Sequence, residues 1–146
     1  MDVTGEQLMA AARAMRRQVG AGLSEWGVTP GQSRALRTIV GAAEPLRLSE
    51  LADRLRIVPR SATEVVDALE GRGLVVRRPD PADRRATCVV ATAEGARLAK
   101  VLERARTAAT TEYLAVLSAE DRRELRRLLS ALLDGHGEPD PARGLR

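Results

Sequence analysis

Phenylalanine is absent from the chain, and one tryptophan and one tyrosine are its only aromatic residues. A core must therefore be built from Leu, Val and Ala, which suits helices packed closely side by side. The same scarcity argues against recognition of single-stranded nucleic acid, where bases stack on aromatic rings. Cysteine is nearly absent as well. Cys88 stands alone, so neither an internal disulfide nor a multi-cysteine metal site can form within one chain. His136 is the single histidine and lies in a Gly/Pro-rich tail, so a histidine-based triad or zinc centre has nothing to assemble from. No catalytic set, metal or cofactor is expected. No apolar run approaches the length of a membrane span. The first residues, Met1-Asp2-Val3-Thr4-Gly5-Glu6, show no basic segment followed by an apolar one. The expectation is a soluble, cytoplasmic protein.

What the chain does have is arginine. Charged residues make up 30% of its 146 positions, 24 basic against 20 acidic, and Lys100 is the only lysine. Arginine offers a planar fork that matches phosphates and guanine edges bidentately. The length allows one ordinary domain, or a small domain with helical extensions.

Apolar spacing predicts mainly helix. Leu8, Ala12, Met15, Val19, Leu23 and Trp26 follow steps of three and four along a first helix. Its stop falls somewhere among Gly20, Gly22 and Gly27. Thr29-Pro30-Gly31-Gln32 reads as the capped start of a second helix running to about Gly41. After a brief extended piece, Pro45 to Leu48, Ser49 is expected to cap a helix carrying Leu51, Ala52 and Leu55. Pro59 opens another with Ala62, Val65, Val66 and Leu69. Leu74 to Arg78 and Ala86 to Thr92 read as an antiparallel hairpin around a tip of Pro, Asp and Arg. Thr92 is placed as the cap of a long helix with a seam of Leu98, Leu102, Ala105, Ala109, Tyr113 and Val116. A final helix starts at Ser118 and carries Leu125, Leu128, Leu129, Leu132 and Leu133. The fold class read from this order is mainly α (α+β), a winged helix-turn-helix with terminal helices. The expected divisions are 1–28 as an N-terminal dimerisation helix and 29–92 as the winged unit. C-terminal dimerisation helices would occupy 93–134, with a disordered tail at 135–146.

In a helix-turn-helix the second helix offers its first turns to base edges. Here those residues are Arg60, Ser61, Thr63 and Glu64, with Asp67 one turn later. Arg60 is placed to read a guanine. Glu64 must face a cytosine amine, pair with a neighbouring Arg, or lean away from phosphate. The helix alone would pass for a solvated amphipathic face. The hairpin tips the balance: Arg77, Arg78, Arg84 and Arg85 stand against Asp80 and Asp83 on one protruding loop. Exposed arginine enters a narrow, negative minor groove readily. Asp83 is expected to brace the Arg85 guanidinium.

The stretch Leu48-Ser49-Glu50-Leu51-Ala52-Asp53-Arg54-Leu55, with Thr63 to Leu69, Gly73-Leu74-Val75 and Arg77 to Arg85, resembles the MarR (multiple antibiotic resistance regulator) family. Gly27 to Gln32 and Thr92-Ala93-Glu94-Gly95 extend the likeness, which covers about Leu8 to Leu133. The resemblance implies a homodimeric repressor or activator whose affinity for a palindromic double-stranded operator responds to a small ligand or oxidant. It makes Arg85 the minor-groove arginine, Asp83 its brace and Thr63 a contact from the recognition helix. It also implies an effector site near Met15, Arg16, Trp26 and Arg34. Two positions depart from the pattern: Val58, where a polar cap is common, and Glu64, where a basic or neutral residue is usual. The family's cysteine-based sensors usually carry the thiol near the N-terminal helices, so Cys88, on the second hairpin strand, is not expected to be the sensor. The competing expectation is a winged-helix module that binds protein and not DNA, favoured by Glu64 and Asp67. An acid-base enzyme using the same two carboxylates lacks a nucleophile or metal set.

Overall fold

The computed structural model describes residues 2–144, which fall into two compact units that divide after Thr110. In the first unit α1, Val3–Leu23, begins five residues earlier than the leucine spacing alone indicates. Asp2 is the reason: its carboxylate accepts the Thr4 N–H at 3.0 Å and caps the first turn. The helix passes through Gly20 and Gly22, then tightens into a 3-10 turn, Ser24–Trp26. Gly27 ends it in the left-handed region, at φ 68°, where a side chain would be strained.

Helix α2, Pro30–Gly41, carries the anticipated capping box, with Thr29 Oγ1 accepting from the Gln32 N–H and Gln32 Oε1 from the Thr29 N–H, both at 3.1 Å. Strand β1 is only Leu46–Arg47, and α3, Leu48–Leu55, follows without a break. The cap of α3 is therefore not Ser49, which sits exposed inside the first turn. Arg47 holds that position, and Glu50 reaches back to its N–H at 2.9 Å. Helix α4, Pro59–Gly71, starts at Val58, which supplies no side-chain cap; Pro59, with no N–H to satisfy, fills the first position instead.

Strands β2, Val75–Pro79, and β3, Thr87–Ala91, pair antiparallel, with Val75 opposite Ala91 and Pro79 opposite Thr87. The sheet order is β1-β3-β2, so β2 lies at an edge, where Pro79 removes a donor without breaking a ladder. Thr92 joins the hairpin to α5, Ala93–Leu114. Its hydroxyl donates to the Gly73 carbonyl at 2.7 Å and accepts the Gly95 N–H at 3.0 Å. Gly95 is required by close approach: a Cβ there would lie 1.9 Å from the Leu74 carbonyl oxygen. The core of this unit joins Leu23, Leu36, Leu51, Val66, Leu69, Val75 and Val89 with Leu102 of α5. It contains no aromatic ring.

In the second unit α6, Ala119–Gly135, is capped by Ser118, whose Oγ accepts the Asp121 N–H at 3.1 Å. Val116, expected on the seam of α5, lies beyond the helix end and is fully exposed. Pro141–Gly144 forms a 3-10 turn, held because Asp140 accepts both the Ala142 N–H at 2.9 Å and the Ser130 hydroxyl at 2.8 Å. Those bonds hold the Asp140 carboxyl below its ordinary range. Arg143 pairs with Asp134. Leu145 and Arg146, the end of the expected disordered tail, and Met1 lie outside the described residues.

Candidate nucleic-acid interface

The turn between α3 and α4 sets the exposed face of α4. Arg56 adopts the left-handed conformation at φ 53°, and the Ile57 N–H bonds back to the Ala52 carbonyl at 3.1 Å. Ala62, Val66 and Leu69 then point into the core, which turns Arg60, Thr63, Glu64 and Asp67 outward. Ser61 is half-buried. Arg60 is 90% exposed in its side chain, and its Nε lies 3.4 Å from Glu64 Oε1. Of the three sequence-based options for Glu64, the pairing with a neighbouring arginine is the one found. The Thr63 hydroxyl donates to the Pro59 carbonyl at 3.2 Å, leaving the oxygen as an acceptor toward solvent.

The four hairpin arginines divide. Arg78, Arg84 and Arg85 are exposed, with no side-chain partner among the described residues. Arg77 is different and is drawn into ion pairs. Its Nη2 is 2.6 Å from Asp67 Oδ1, and its Nη1 is 3.0 Å from Glu70 Oε1. Its backbone N–H donates to Glu70 Oε2 at 2.9 Å. Asp83 does act as a brace, but on a different atom: its Oδ1 accepts the Arg85 backbone N–H at 3.0 Å, fixing the turn and not the guanidinium.

The root of the hairpin tip holds a pair, Arg47 and Asp80, that sequence reasoning did not bring together. Asp80, nearly buried, accepts Arg47 Nε at 2.6 Å and the Ala82 N–H at 2.8 Å. The Ala82 N–H first, then Arg47, keeps its carboxyl below the ordinary range and so ionised at neutral pH. The Asp80 N–H also donates to the Ala86 carbonyl at 2.9 Å, closing the tip. The Asp-Pro-Ala run carried the signal of such a side-chain turn; the partner Arg47, 33 residues away, carried none.

Cys88 is buried beneath this root. Burial and the neighbouring Asp80 push its thiol above the ordinary range, so the nucleophilic thiolate is scarce. Residues considered for an effector are scattered in role. Met15 is half-buried and Arg16 exposed on α1. Arg34 donates to the carbonyls of Leu55 at 2.8 Å and Arg54 at 3.5 Å, tying α2 to the end of α3. The carbonyls of Trp26 and Gly27 accept from Arg72, at 3.0 and 2.9 Å, which ties the end of α4 to the α1–α2 link. Among the described residues no group of three or more His, Cys, Asp or Glu side chains could hold a metal ion, and no helix is long and apolar enough to cross a membrane.

A family model described as MarR family matches residues 28–87, from the end of the α1–α2 link through the hairpin tip. The HTH-type transcriptional repressor Rv2887 of Mycobacterium tuberculosis is 32% identical over 128 residues, spanning 88% of this chain and 91% of that one. The crystal structure of Rv2887 in complex with DNA superposes with a TM-score of 0.76 at 32% identity, covering 88% of this chain and 95% of that chain. The crystal structure of CouR from Rhodococcus jostii RHA1 bound to p-coumaroyl-CoA has a TM-score of 0.75 at 28% identity, covering 90% and 92%.

Proposed function

The chain belongs to the MarR family, and from that premise we propose that it is a cytoplasmic transcriptional regulator that binds a palindromic double-stranded operator as a homodimer and is released or retained by a small-molecule effector. The observation that carries this reading is the trio Arg78, Arg84 and Arg85, exposed and without a side-chain partner among the described residues, on a hairpin whose tip is shaped by Asp80 and Asp83. Three guanidiniums on one hairpin beside the exposed first turns of α4 suit a groove and its flanking phosphates. The carboxylates that favoured a protein-binding module support it less once Glu64 is paired with Arg60, and Asp67 and Glu70 with Arg77. The assigned role is repression by occupancy, with no catalytic step.

The dimer part rests on α6. Its leucines Leu128, Leu129 and Leu132 are exposed, and the helix buries no residue. An apolar stripe of this kind marks a partner surface. The terminal helices are accordingly assigned to dimerisation, and the effector to a small organic molecule of the kind bound in CouR. Nuclease protection on genomic fragments, followed by titration of the protected duplex at increasing salt, tests the whole reading. A binding constant falling linearly in log salt, with a slope of about −0.9 per phosphate neutralised, is expected. No protected duplex, or affinity indifferent to salt, overturns it.

A further inference from the structure

We propose that Arg77 is a positioning residue: it locks the hairpin against the recognition helix α4 by pairing with two carboxylates of that helix, and it makes no contact with DNA. The proposal rests on the reading of α4 and the hairpin as the DNA-binding surface.

Arg77 lies on β2, opposite Val89, and only 25% of its side chain is exposed. It holds Glu70 from two sides, through its backbone N–H and through Nη1, while Nη2 takes Asp67 at 2.6 Å. Asp67 and Glu70 are one turn apart on α4, so a single planar fork joins two helical positions to one strand position. Charge-assisted, forked bonds of this kind fix direction as well as distance. The hydrogen bond to Asp67, and after it the bond to Glu70, hold the guanidinium more firmly protonated than usual against the opposing effect of burial. The two bonds turn the fork toward α4, and if Arg77 reached out to a phosphate instead, Asp67, 61% exposed, would stand uncompensated on the face that meets DNA. A carboxylate there repels phosphate, so withdrawing Arg77 costs affinity twice. The other hairpin arginines have no such partners among the described residues. The division of labour follows: Arg77 sets the angle between reading helix and hairpin, and Arg78, Arg84 and Arg85 make the contacts.

Two measurements on the full chain test this. Without DNA, hydrogen exchange of the amides of β2 and β3 in Arg77→Gln should be at least about tenfold faster than in the parent, because the lock is lost. Unchanged exchange overturns the lock. With a random-sequence duplex as probe, Arg77→Gln should bind about tenfold more weakly, and Arg77→Gln/Asp67→Asn/Glu70→Gln, which removes the uncompensated acids but does not rebuild the lock, should recover about threefold of that loss at the parent's salt slope. A triple variant that stays as weak as the single one, with a slope smaller by about 0.9, makes Arg77 a phosphate contact and overturns the proposal. Should Arg77→Gln fail to fold, Arg77→Lys decides. A lysine ammonium lacks the planar fork that fixes the directions of both bonds, so faster strand exchange is expected; a lysine variant equal to the parent in exchange and binding overturns the idea. A parent protein that binds no duplex refutes the functional reading instead, and the exchange measurement still stands.

Discussion

At the scale of single residues, the same side-chain type does opposite work within nine positions. Arg77 is drawn inward by two acids and Arg85 is left outward, its backbone pinned by Asp83. The expected consequence is a clean separation by substitution. Arg85→Ala should leave the melting temperature unchanged and weaken binding to the protected duplex at least about tenfold, as for an arginine lost from a groove or phosphate contact. Fluorescence anisotropy with a labelled duplex, beside a thermal melt, reads both; equal affinity would remove the tip from the mechanism. These roles were only partly legible in the sequence. Exposure of Arg85 followed from the polar tip. The partners of Arg77 did not, because Asp67 and Glu70 reach it across a turn, where neither helical nor strand spacing applies. Asp83 was legible as a brace but not in its target, since an aspartate two residues before its neighbour finds the backbone N–H sooner than a mobile guanidinium.

At the scale of elements, the helix starts that obeyed local chemistry were readable and those set by tertiary contact were not. Thr29 with Gln32 and Thr92 with Gly95 fall where cap chemistry puts them. Helix α3 begins one residue before the available serine because β1 must end at Arg47 to pair with β3, which leaves no room for a Ser49 cap. The passage from hairpin to α5 is the tightest joint in the chain. Gly95→Ala should cost about 1–3 kcal/mol, the range for overpacking, because the added methyl meets a backbone carbonyl that cannot rotate away. Chemical denaturation would register this as a lower midpoint with an unchanged slope. A substitution without effect would mean that α5 can shift off Leu74 at no expense.

At the scale of the whole molecule, the sequence announced its winged unit through motif and spacing, but it announced the association surface only as surplus apolar stripe. The Leu8 to Trp26 stripe shows why. Its C-terminal end is used within its own chain: Leu23 is buried, and Gln18 Nε2 donates to the Ala109 carbonyl of α5 at 3.4 Å. Leu8 and Met9, about four turns back from Leu23, remain exposed. A helix can thus serve its own core at one end and a second subunit at the other, and periodicity does not distinguish the two. Replacing Leu128 and Leu132 by Arg should convert a dimer to a monomer in sedimentation at micromolar concentration. It should also abolish the high-affinity footprint, because each half then loses the effective concentration of its twin. A parent that already sediments as a monomer would rule out the paired arrangement. The small sheet bears on the same issue from the other side. One margin is a strand of two residues, and the opposite margin ends in Pro79 beside the charged pair Arg77 and Arg78. Neither border offers a run of open amides to a stranger's strand, so crowding many copies along a chromosome does not invite fibrous stacking through the hairpins.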